Sequence, residues 1–147
     1  MEIINREARY NYFIEDEIEC GIVLVGTEIK SIRDGKANLK DCYAIVRNHE
    51  VYLLNMYISE YKEGNLFNHN PRRTRKLLLH KTEINKLKKS VEEDGRTLIP
   101  LKLYFVKNKA KILLGLCKGK KSFDKRETIK ERDLKRANSK ENKYYYK

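Results

Sequence analysis

Several features are scarce or missing in this sequence, and each excludes a class of protein. No apolar run approaches the roughly 18 residues that a membrane-spanning helix needs. The first seven residues lack the apolar stretch of a secretory signal, so none is expected. The three cysteines, Cys20, Cys42 and Cys117, are far apart, which fits neither a C-x-x-C metal site nor a disulfide framework. We therefore expect reduced, buried thiols in a cytoplasmic protein.

The motifs of common enzyme classes are also missing. There is no H-E-x-x-H, P-loop, G-x-G-x-x-G or G-x-S-x-G string. The histidines His49, His69 and His80 have no partner histidine at helical spacing. The acidic stretch of residues 15–17 with Glu19 could suggest a metal site, but a solvated face or turn is the favoured interpretation. We predict neither a catalytic residue nor a metal site nor a cofactor.

Positive charge is what the sequence has in excess. Lys and Arg number 33 against 21 Asp and Glu, which gives a net charge of +12 over 147 residues. Residues 118–147 hold twelve of the basic and five of the acidic side chains, and their large aliphatic residues are Ile129 and Leu134 alone. Such a segment cannot bury enough apolar area to offset its ordering entropy. We predict a folded domain of residues 1–117 and a flexible basic tail of residues 118–147.

Strand patterns dominate the first 117 residues. Strands are predicted at residues 10–14, 21–25, 43–46, 51–56, 98–104 and 111–116, helices at 27–35 and 83–93, and a loop at 65–75. Most neighbouring strands have hairpin-like connections, which favours an antiparallel sheet. Closing that sheet removes its exposed edges. The prediction is a mainly β fold, a closed antiparallel barrel with embedded helices, and an open α+β sheet is the alternative.

Basic side chains are concentrated at three places. Residues 72–76 hold four cations on the predicted loop, residues 5–10 combine cations with an amide and an aromatic ring, and residues 118–121 hold three cations after the last strand. Such cations bind phosphates without reading sequence, and some of the ten tyrosines and four phenylalanines could stack on unpaired bases. A polyanionic partner is favoured, although composition does not separate RNA, DNA and acidic proteins.

The order of several motifs is more specific than any of these features. They are N-R-x-A-R (residues 5–9), Y-F-I-E (12–15), E-C-G-I-V-L (19–24), G-T-E-I-K-S-I-R-x-G-K-A-N-L-K-D (26–41), P-x-R-T-R-K-L-L-L (71–79), G-K-K (119–121) and D-K-R-E-T-I-K-E-R (124–132). With these motifs the chain resembles the small protein B family, the SsrA-binding proteins of bacterial trans-translation, from about residue 5 to residue 136. The resemblance implies a barrel of the oligonucleotide-binding type followed by a basic tail.

The resemblance also implies a function without catalysis. Proteins of this family bind the tRNA-like part of transfer-messenger RNA (tmRNA) and, with elongation factor Tu, bring it to ribosomes stalled without a codon in the A site. The barrel would replace the missing anticodon arm, and the tail would enter the empty mRNA channel near the decoding centre of the 70S ribosome. The expected partners are tmRNA, the ribosome and elongation factor Tu, with no membrane, for a cytoplasmic monomer.

The resemblance assigns RNA-binding residues to the barrel. They are Asn5, Arg6, Arg9, Glu19, Lys30, Arg33, Lys36, Asn38, Leu78 and His80. The cations would hold phosphates, and the two asparagines could bond sugar or base edges. Glu19 would accept a hydrogen bond from a base amino group or a 2′-OH, or orient a neighbouring cation. The alternatives are a plain surface carboxylate for Glu19 and core packing for Leu78.

A second set of residues is assigned to ribosome binding by the tail. They are Gly119, Lys120, Lys121, Phe123, Asp124, Lys125, Arg126, Lys130 and Arg132. The resemblance places Phe123 at the decoding centre, where its ring could stack on a base. Asp124 and Glu127 have the spacing of an N-cap and N3 pair for a helix that runs to about residue 137. At about 13 residues such a helix is marginal alone, so we expect it to form on the ribosome.

Two other functions remain open from the residues themselves. One is a different RNA-binding barrel, such as a ribosomal or initiation component. The other is an RNA-processing enzyme that uses the acidic cluster at residues 15–19.

Overall fold

The part of the chain that the structure describes contains nine strands and three α-helices up to Gly119, followed by helical residues at 124–127 and 129–134. This structure is a computed structural model, and it describes residues 1–121, 124–127 and 129–134. The strands are β1 (Glu2–Ile4), β2 (Tyr12–Ile22), β3 (Ala37–Asn38), β4 (Tyr43–Arg47), β5 (Glu50–Leu54), β6 (Tyr57–Ile58), β7 (Arg75–Leu78), β8 (Thr97–Val106) and β9 (Lys109–Gly119). The helices are α1 (Ala8–Asn11), α2 (Gly26–Arg33) and α3 (Lys81–Asp94), with a 3₁₀ helix at Lys62–Phe67.

Six strands close into a barrel in the order β8-β4-β5-β7-β2-β9, because β9 pairs again with β8. Every pair in this ring is antiparallel. Strand β1 pairs with β8 beside the barrel, and β3 and β6 form a separate two-stranded sheet. The predicted mainly β fold with embedded helices and a closed antiparallel barrel is confirmed, and the open sheet is excluded. Strand β9 ends at Gly119, two residues beyond the predicted domain boundary.

The acidic cluster lies inside a long strand. Two short strands were predicted at residues 10–14 and 21–25, whereas β2 is one strand of 11 residues with a bulge between Ile14 and Asp16. A bulge places an extra residue in one strand and interrupts the two-residue alternation of inward and outward side chains. Residues 15–17 are accordingly all exposed. Because they do not show the alternation expected of a strand, the sequence pattern did not predict that the strand continues through them.

Two tight hairpins set the register of the barrel. Asn48 and His49 connect β4 to β5 with φ of 50° and 61°, and Lys107 and Asn108 connect β8 to β9 with φ of 49° and 65°. Positive φ at both central residues is typical of the type I′ turn, whose twist matches that of paired strands. Both connections lie between predicted strands, 43–46 with 51–56 and 98–104 with 111–116, whose hairpin-like connections the sequence indicated.

The barrel interior is apolar. Val51, Leu53, Leu77 and Ile112 are fully buried, and helices α2 and α3 add further apolar side chains to the same core. The three cysteines are buried free thiols, as predicted. Burial raises the pKa of Cys20 and of Cys42 to about 12, so these thiols stay protonated and unreactive at neutral pH.

A buried ion cluster connects α2 to β7. The Glu28 and Arg75 side chains are fully buried, and Arg75 Nε donates to Glu28 Oε2 at 2.6 Å. Arg73 Nη2 and the Val25 backbone N–H donate to the other carboxylate oxygen at 2.6 Å and 2.9 Å. Arg75 Nη1 also donates to the Met56 carbonyl at 2.5 Å. These bonds compensate the loss of hydration that burying the two charges costs.

This cluster corrects the interpretation of Arg73 and Arg75, two of the four cations of residues 72–76, as phosphate-binding groups. Arg75 has no exposed surface, and Arg73 is half-buried against Glu28. Arg72 donates to Asn55, and Lys76 Nζ lies 3.5 Å from the Glu50 carboxylate. The prediction is wrong for Arg75, because its residue type was read as solvent-exposed whereas β7 turns it into the protein. Arg72 and Lys76 remain accessible to solvent.

We expect this cluster to give the protein an acid-sensitive stability. Burial raises the pKa of Glu28, but hydrogen bonds from Arg73 and Val25 and the charge of Arg75 outweigh burial and lower the net value. A carboxyl with a lowered folded-state pKa stabilises the protein above its unfolded-state pKa of about 4.3, and this stabilisation is lost as pH falls through the folded-state value. Urea midpoints should therefore fall more steeply below about pH 4 for the natural chain than for Glu28→Gln. Parallel curves for the two proteins would contradict this.

Candidate nucleic-acid interface

Four strands place a row of side chains on the outer face of the barrel. Leu78 of β7 pairs with Gly21 of β2, Gly21 pairs with Lys111 of β9, and Lys111 pairs with Tyr104 of β8. Their neighbours along the strands pack in the core and are buried or partly buried, since outward and inward side chains alternate. Leu78 is 52% exposed, so it is a surface residue and the alternative of core packing is excluded. We call these four residues the outer row.

Glu19 lies beside the outer row and accepts a hydrogen bond from Tyr104, one of its residues. The Tyr104 hydroxyl donates to Glu19 Oε2 at 2.7 Å, and the Lys102 ammonium lies 5.1 Å from the Tyr104 ring centroid. Burial and the bond to Glu19 raise the pKa of Tyr104 to about 12, so the hydroxyl remains a donor at neutral pH. One carboxylate oxygen is thus engaged by the protein, while the exposed side chain can use the other to accept a hydrogen bond.

The segment after β1 carries Asn5, Arg6 and Arg9. Asn5 is tied to the barrel, because its backbone N–H donates to the Leu101 carbonyl at 2.8 Å and its Nδ2 donates to the Pro100 carbonyl at 2.9 Å. Its Oδ1 is therefore the group suited to an RNA donor. Arg6 and Arg9 are exposed, and both line the same surface pocket.

A cavity of about 440 Å³ joins this segment to the turn after α2. Asn5, Arg6 and Asn38 line it, and so does Glu2, which pairs with Tyr104 across β1 and β8. The cavity and the outer row are therefore neighbours on one continuous surface. The structure brings these predicted residues together although they are distant in sequence.

The remaining predicted residues lie at the ends of two helices. The Arg33 guanidinium lies 4.5 Å from the Phe105 ring centroid, and Lys30 Nζ lies 5.4 Å from the Tyr61 ring centroid. Lys36 is exposed shortly after α2, and His80 is exposed at the start of α3, two residues after Leu78. These rings fix the two cations of α2 while leaving them accessible to solvent.

The first part of the tail lies against α1. Lys120 donates from its backbone N–H to the Asn11 carbonyl at 2.9 Å and from Nζ to the Arg9 carbonyl at 2.8 Å. Residues 124–127 and 129–134 are helical. The Lys121 N–H donates to Asp124 Oδ2 at 3.2 Å, so Asp124 lies inside the helix and the prediction of an N-cap there is wrong. The prediction for Phe123 lies outside the described residues.

Lys111 and Tyr104 belong to the outer row, and the sequence did not indicate them as candidate site residues. Their types are common, and only the strand register places them beside Glu19 and Leu78. The sequence signal was the alternation of residue types along the last two strands. It indicates on which face of the sheet a side chain lies, but not which residue of another strand lies beside it.

The acidic residues of β2 are engaged by protein partners. Glu15 pairs with Arg96, the Glu17 carboxylate lies 3.7 Å from Arg9, and Glu19 accepts from Tyr104. Among the described residues, no group of three or more His, Cys, Asp or Glu side chains could hold a metal ion. Within the same residues, no helix is long and apolar enough to span a bilayer.

The fold and this surface define a small, strongly basic β-barrel protein, a class that binds oligonucleotides on exposed strand faces. The model of the SmpB protein family matches residues 2–144. The chain belongs to the SmpB protein family, as the sequence motifs predicted.

Individual relatives agree with this assignment. The chain is 55% identical to the SsrA-binding protein of Clostridium beijerinckii over 144 residues, which cover 95% of this chain and 92% of that protein. It is 57% identical to the SsrA-binding protein of Staphylococcus aureus strain JH1 over 142 residues, which cover 97% and 92%. A chain of the solved structure "tmRNA-SmpB: a journey to the center of the bacterial ribosome" matches with a TM-score of 0.69 and 48% identity over 82% of this chain and 85% of that chain.

Proposed function

We propose that this protein binds tmRNA through its barrel and acts in trans-translation on stalled ribosomes. The observation that carries the proposal is the match to the SmpB family over residues 2–144. The relatives named SsrA-binding protein and the tmRNA-SmpB structure support it. The exposed surface of cations, amides and one oriented carboxylate has the chemistry that a folded RNA requires.

The proposed contacts divide the work between phosphates and base or sugar edges. Arg6, Arg9, Arg33 and the other exposed cations hold phosphates, which gives affinity without sequence readout. Asn5 and Asn38 bond sugar or base edges, while Leu78 offers an apolar surface in the outer row. This division assigns specificity to a few polar side chains at fixed positions.

We assign Glu19 to accept a hydrogen bond from an RNA amino group or 2′-OH. A carboxylate repels phosphate, so its place on a cationic surface needs a donor as its partner. Tyr104 holds one oxygen at 2.7 Å, which fixes the direction of the other. The 2′-OH is both donor and acceptor, and a contact with it distinguishes RNA from DNA.

The tail is proposed to act on the ribosome. Residues 118–147 carry a net charge of +7, which suits a channel lined by ribosomal RNA. In this proposal the tail enters the empty mRNA channel, where Lys120, Lys125, Arg126, Lys130 and Arg132 contact phosphates and Phe123 stacks on a base of the decoding centre. The helical residues 124–127 and 129–134 would be stabilised there because RNA neutralises their neighbouring cations.

Four further proposals complete the function. The protein acts with elongation factor Tu, works as a monomer, resides in the cytoplasm, and makes or breaks no covalent bond itself. The pairing of the β2 carboxylates with Arg96, Arg9 and Tyr104 supports the last of these, because a nuclease would need them for a metal ion.

Competition between RNAs tests the proposed function. The protein should prefer a transcript of the tRNA-like part of tmRNA to ordinary tRNA and to a ribosomal RNA fragment of equal length, measured by filter binding at 0.15 M salt. Arg33→Ala should weaken this binding and reduce the slope of log affinity against log salt by about 0.7–0.9, the effect of one phosphate contact. Lys86→Ala, on the exposed face of α3, is the matched control. Equal affinity for all three RNAs would refute the proposal.

A further inference from the structure

A cleft of about 460 Å³ separates the barrel from the helical part of the tail. The barrel contributes Arg6 and Arg9 from the segment around α1, and Lys120 follows β9. The tail helix contributes Glu131 and Arg132 to the opposite wall. The cleft therefore joins two parts of the chain that the sequence predicted to be independent.

Aromatic rings hold the cations of the tail in this position. The Tyr10 ring centroid lies 5.7 Å from Lys125 Nζ and 5.9 Å from Arg132 Cζ. The Phe13 ring centroid lies 4.8 Å from Lys120 Nζ. Cations within about 6 Å of an aromatic centroid are attracted by the negative face of the ring. The rings thus keep cationic groups of the tail beside cationic groups of the barrel.

The cleft is lined by more cations than carboxylates. Its lining includes four cations and one carboxylate, that of Glu131. Within residues 1–121, 124–127 and 129–134, Arg6 and Arg132 form no ion pair, and Arg9 has only an exposed contact with Glu17 at 3.7 Å. Like charges brought this close repel each other, and a bound anion would relieve the repulsion.

We propose that this cleft binds a phosphate of an RNA strand and thereby clamps the tail helix to the barrel. The proposal rests on the proposed function in taking RNA as the ligand. The guanidinium groups of Arg9 and Arg132 approach the phosphate from opposite walls, and each can donate two parallel hydrogen bonds to its oxygens. An RNA strand held there connects barrel and tail, so the direction in which the tail leaves the barrel depends on bound RNA.

Alanine substitution on the tail helix tests the clamp in the full-length protein. The probe is fluorescein-labelled hexauridylate, which has no tRNA-like structure, and the measurement is anisotropy at 0.1 M salt. Arg132→Ala should weaken binding about five-fold, the effect of losing one phosphate contact to a single strand at this salt concentration. Lys86→Ala removes the same charge from an exposed position on α3, outside the cleft and outside the assigned RNA-binding residues. An equal loss for both variants would overturn the proposal.

Substituting the acidic residue of the cleft tests the proposal through an expected increase in RNA affinity. Glu131→Gln removes a repulsive carboxylate and should tighten hexauridylate binding two- to five-fold. Asp133→Asn makes the same charge change on the same helix outside the cleft, and should have a smaller effect. A gain in affinity cannot result from unfolding. Equal gains for the two variants would show that only the overall charge of the tail matters, which would overturn the clamp.

Two natural RNAs could supply the phosphate, and separate arms identify the source. The comparison of Arg132→Ala with Lys86→Ala is repeated with the tRNA-like transcript and with a decoding-site fragment of ribosomal RNA. The RNA that loses affinity with Arg132→Ala alone is the natural ligand, and no selective loss in either arm counts against the proposal. Preference of the natural chain for tmRNA over tRNA tests the proposed function separately, so the two proposals can fail independently.

Discussion

Replacing Glu28 by alanine should destabilise the protein by about 3–5 kcal/mol, because it leaves the Arg75 charge buried without a partner. The Glu28 and Arg75 side chains are both completely buried, and Arg75 lies too deep to regain water without opening the barrel. Arg73 is half-buried and can turn toward solvent, so Arg75 accounts for most of the cost. Urea unfolding followed by circular dichroism measures the change.

An exposed ion pair provides the matched control. Lys76 and Glu50 lie 3.5 Å apart with side chains that are 41% and 39% exposed. Exposed pairs contribute about 0–1 kcal/mol, so Glu50→Ala should have little effect. A double variant, Glu28→Leu with Arg75→Met, should recover much of the lost stability, since an apolar pair needs no charge compensation. A loss below about 1 kcal/mol for Glu28→Ala would show that Arg75 is not confined as the structure indicates.

The same substitution should affect RNA binding through the position of α2. The Glu28 carboxylate joins the first turn of α2 to β7 and accepts from the Val25 N–H at the start of the helix. Lys30 and Arg33 lie further along that helix. A loosened α2 would no longer hold these two cations in fixed positions, so the stability and affinity losses of Glu28→Ala are coupled.

Replacing Glu19 by alanine should weaken binding of the tRNA-like transcript about 10- to 100-fold. A hydrogen bond to a charged group contributes about 1.5–3 kcal/mol, and each 1.36 kcal/mol is a factor of ten. The slope of log affinity against log salt should stay unchanged, because Glu19 contacts no phosphate. This separates its loss from the loss of a cation, which reduces both affinity and slope.

The sign of the effect decides between the two interpretations of Glu19. If Glu19 were a plain surface carboxylate, removing its charge would strengthen binding to a polyanion, so tighter binding would contradict the assignment. Tyr104→Phe keeps the ring and removes the donor to Glu19, and should weaken binding about two- to ten-fold. Glu50→Gln changes a carboxylate outside the outer row and serves as the control.

The long hydrophobic elements were predictable from local pattern, and the short ones were not. The last two strands, the hairpin at residues 47–50 and the helix now seen as Lys81–Asp94 follow from periodicity and turn residues. Strands β3 and β6 have two residues each, and β1 has three. Such segments carry no measurable periodicity, and they form because distant strands supply their hydrogen bonds.

The candidate binding surface was only partly predictable, for a related physical reason. Family motifs named Glu19 and Leu78, but Lys111 and Tyr104 become their neighbours through cross-strand register. Residue type also misled at Arg75, which is a cation with no exposed surface. A sequence shows which side chains are charged. The solvent exposure of these side chains and the distances between them depend on which segments the fold brings together.

The amino-acid sequence by itself determined the family, the mainly β class and the excess of positive charge, whereas the closed barrel and the open sheet were separated by the β8–β9 pairing of the structure. The family, the class and the charge follow from motif order, alternation and composition, which are local or additive properties of the chain. Only the tertiary structure decided which cations are buried with Glu28, which side chains share the outer row, and how the tail helix meets α1. Each of these depends on contacts between residues distant in sequence, and the energy of such contacts exists only after the barrel has closed.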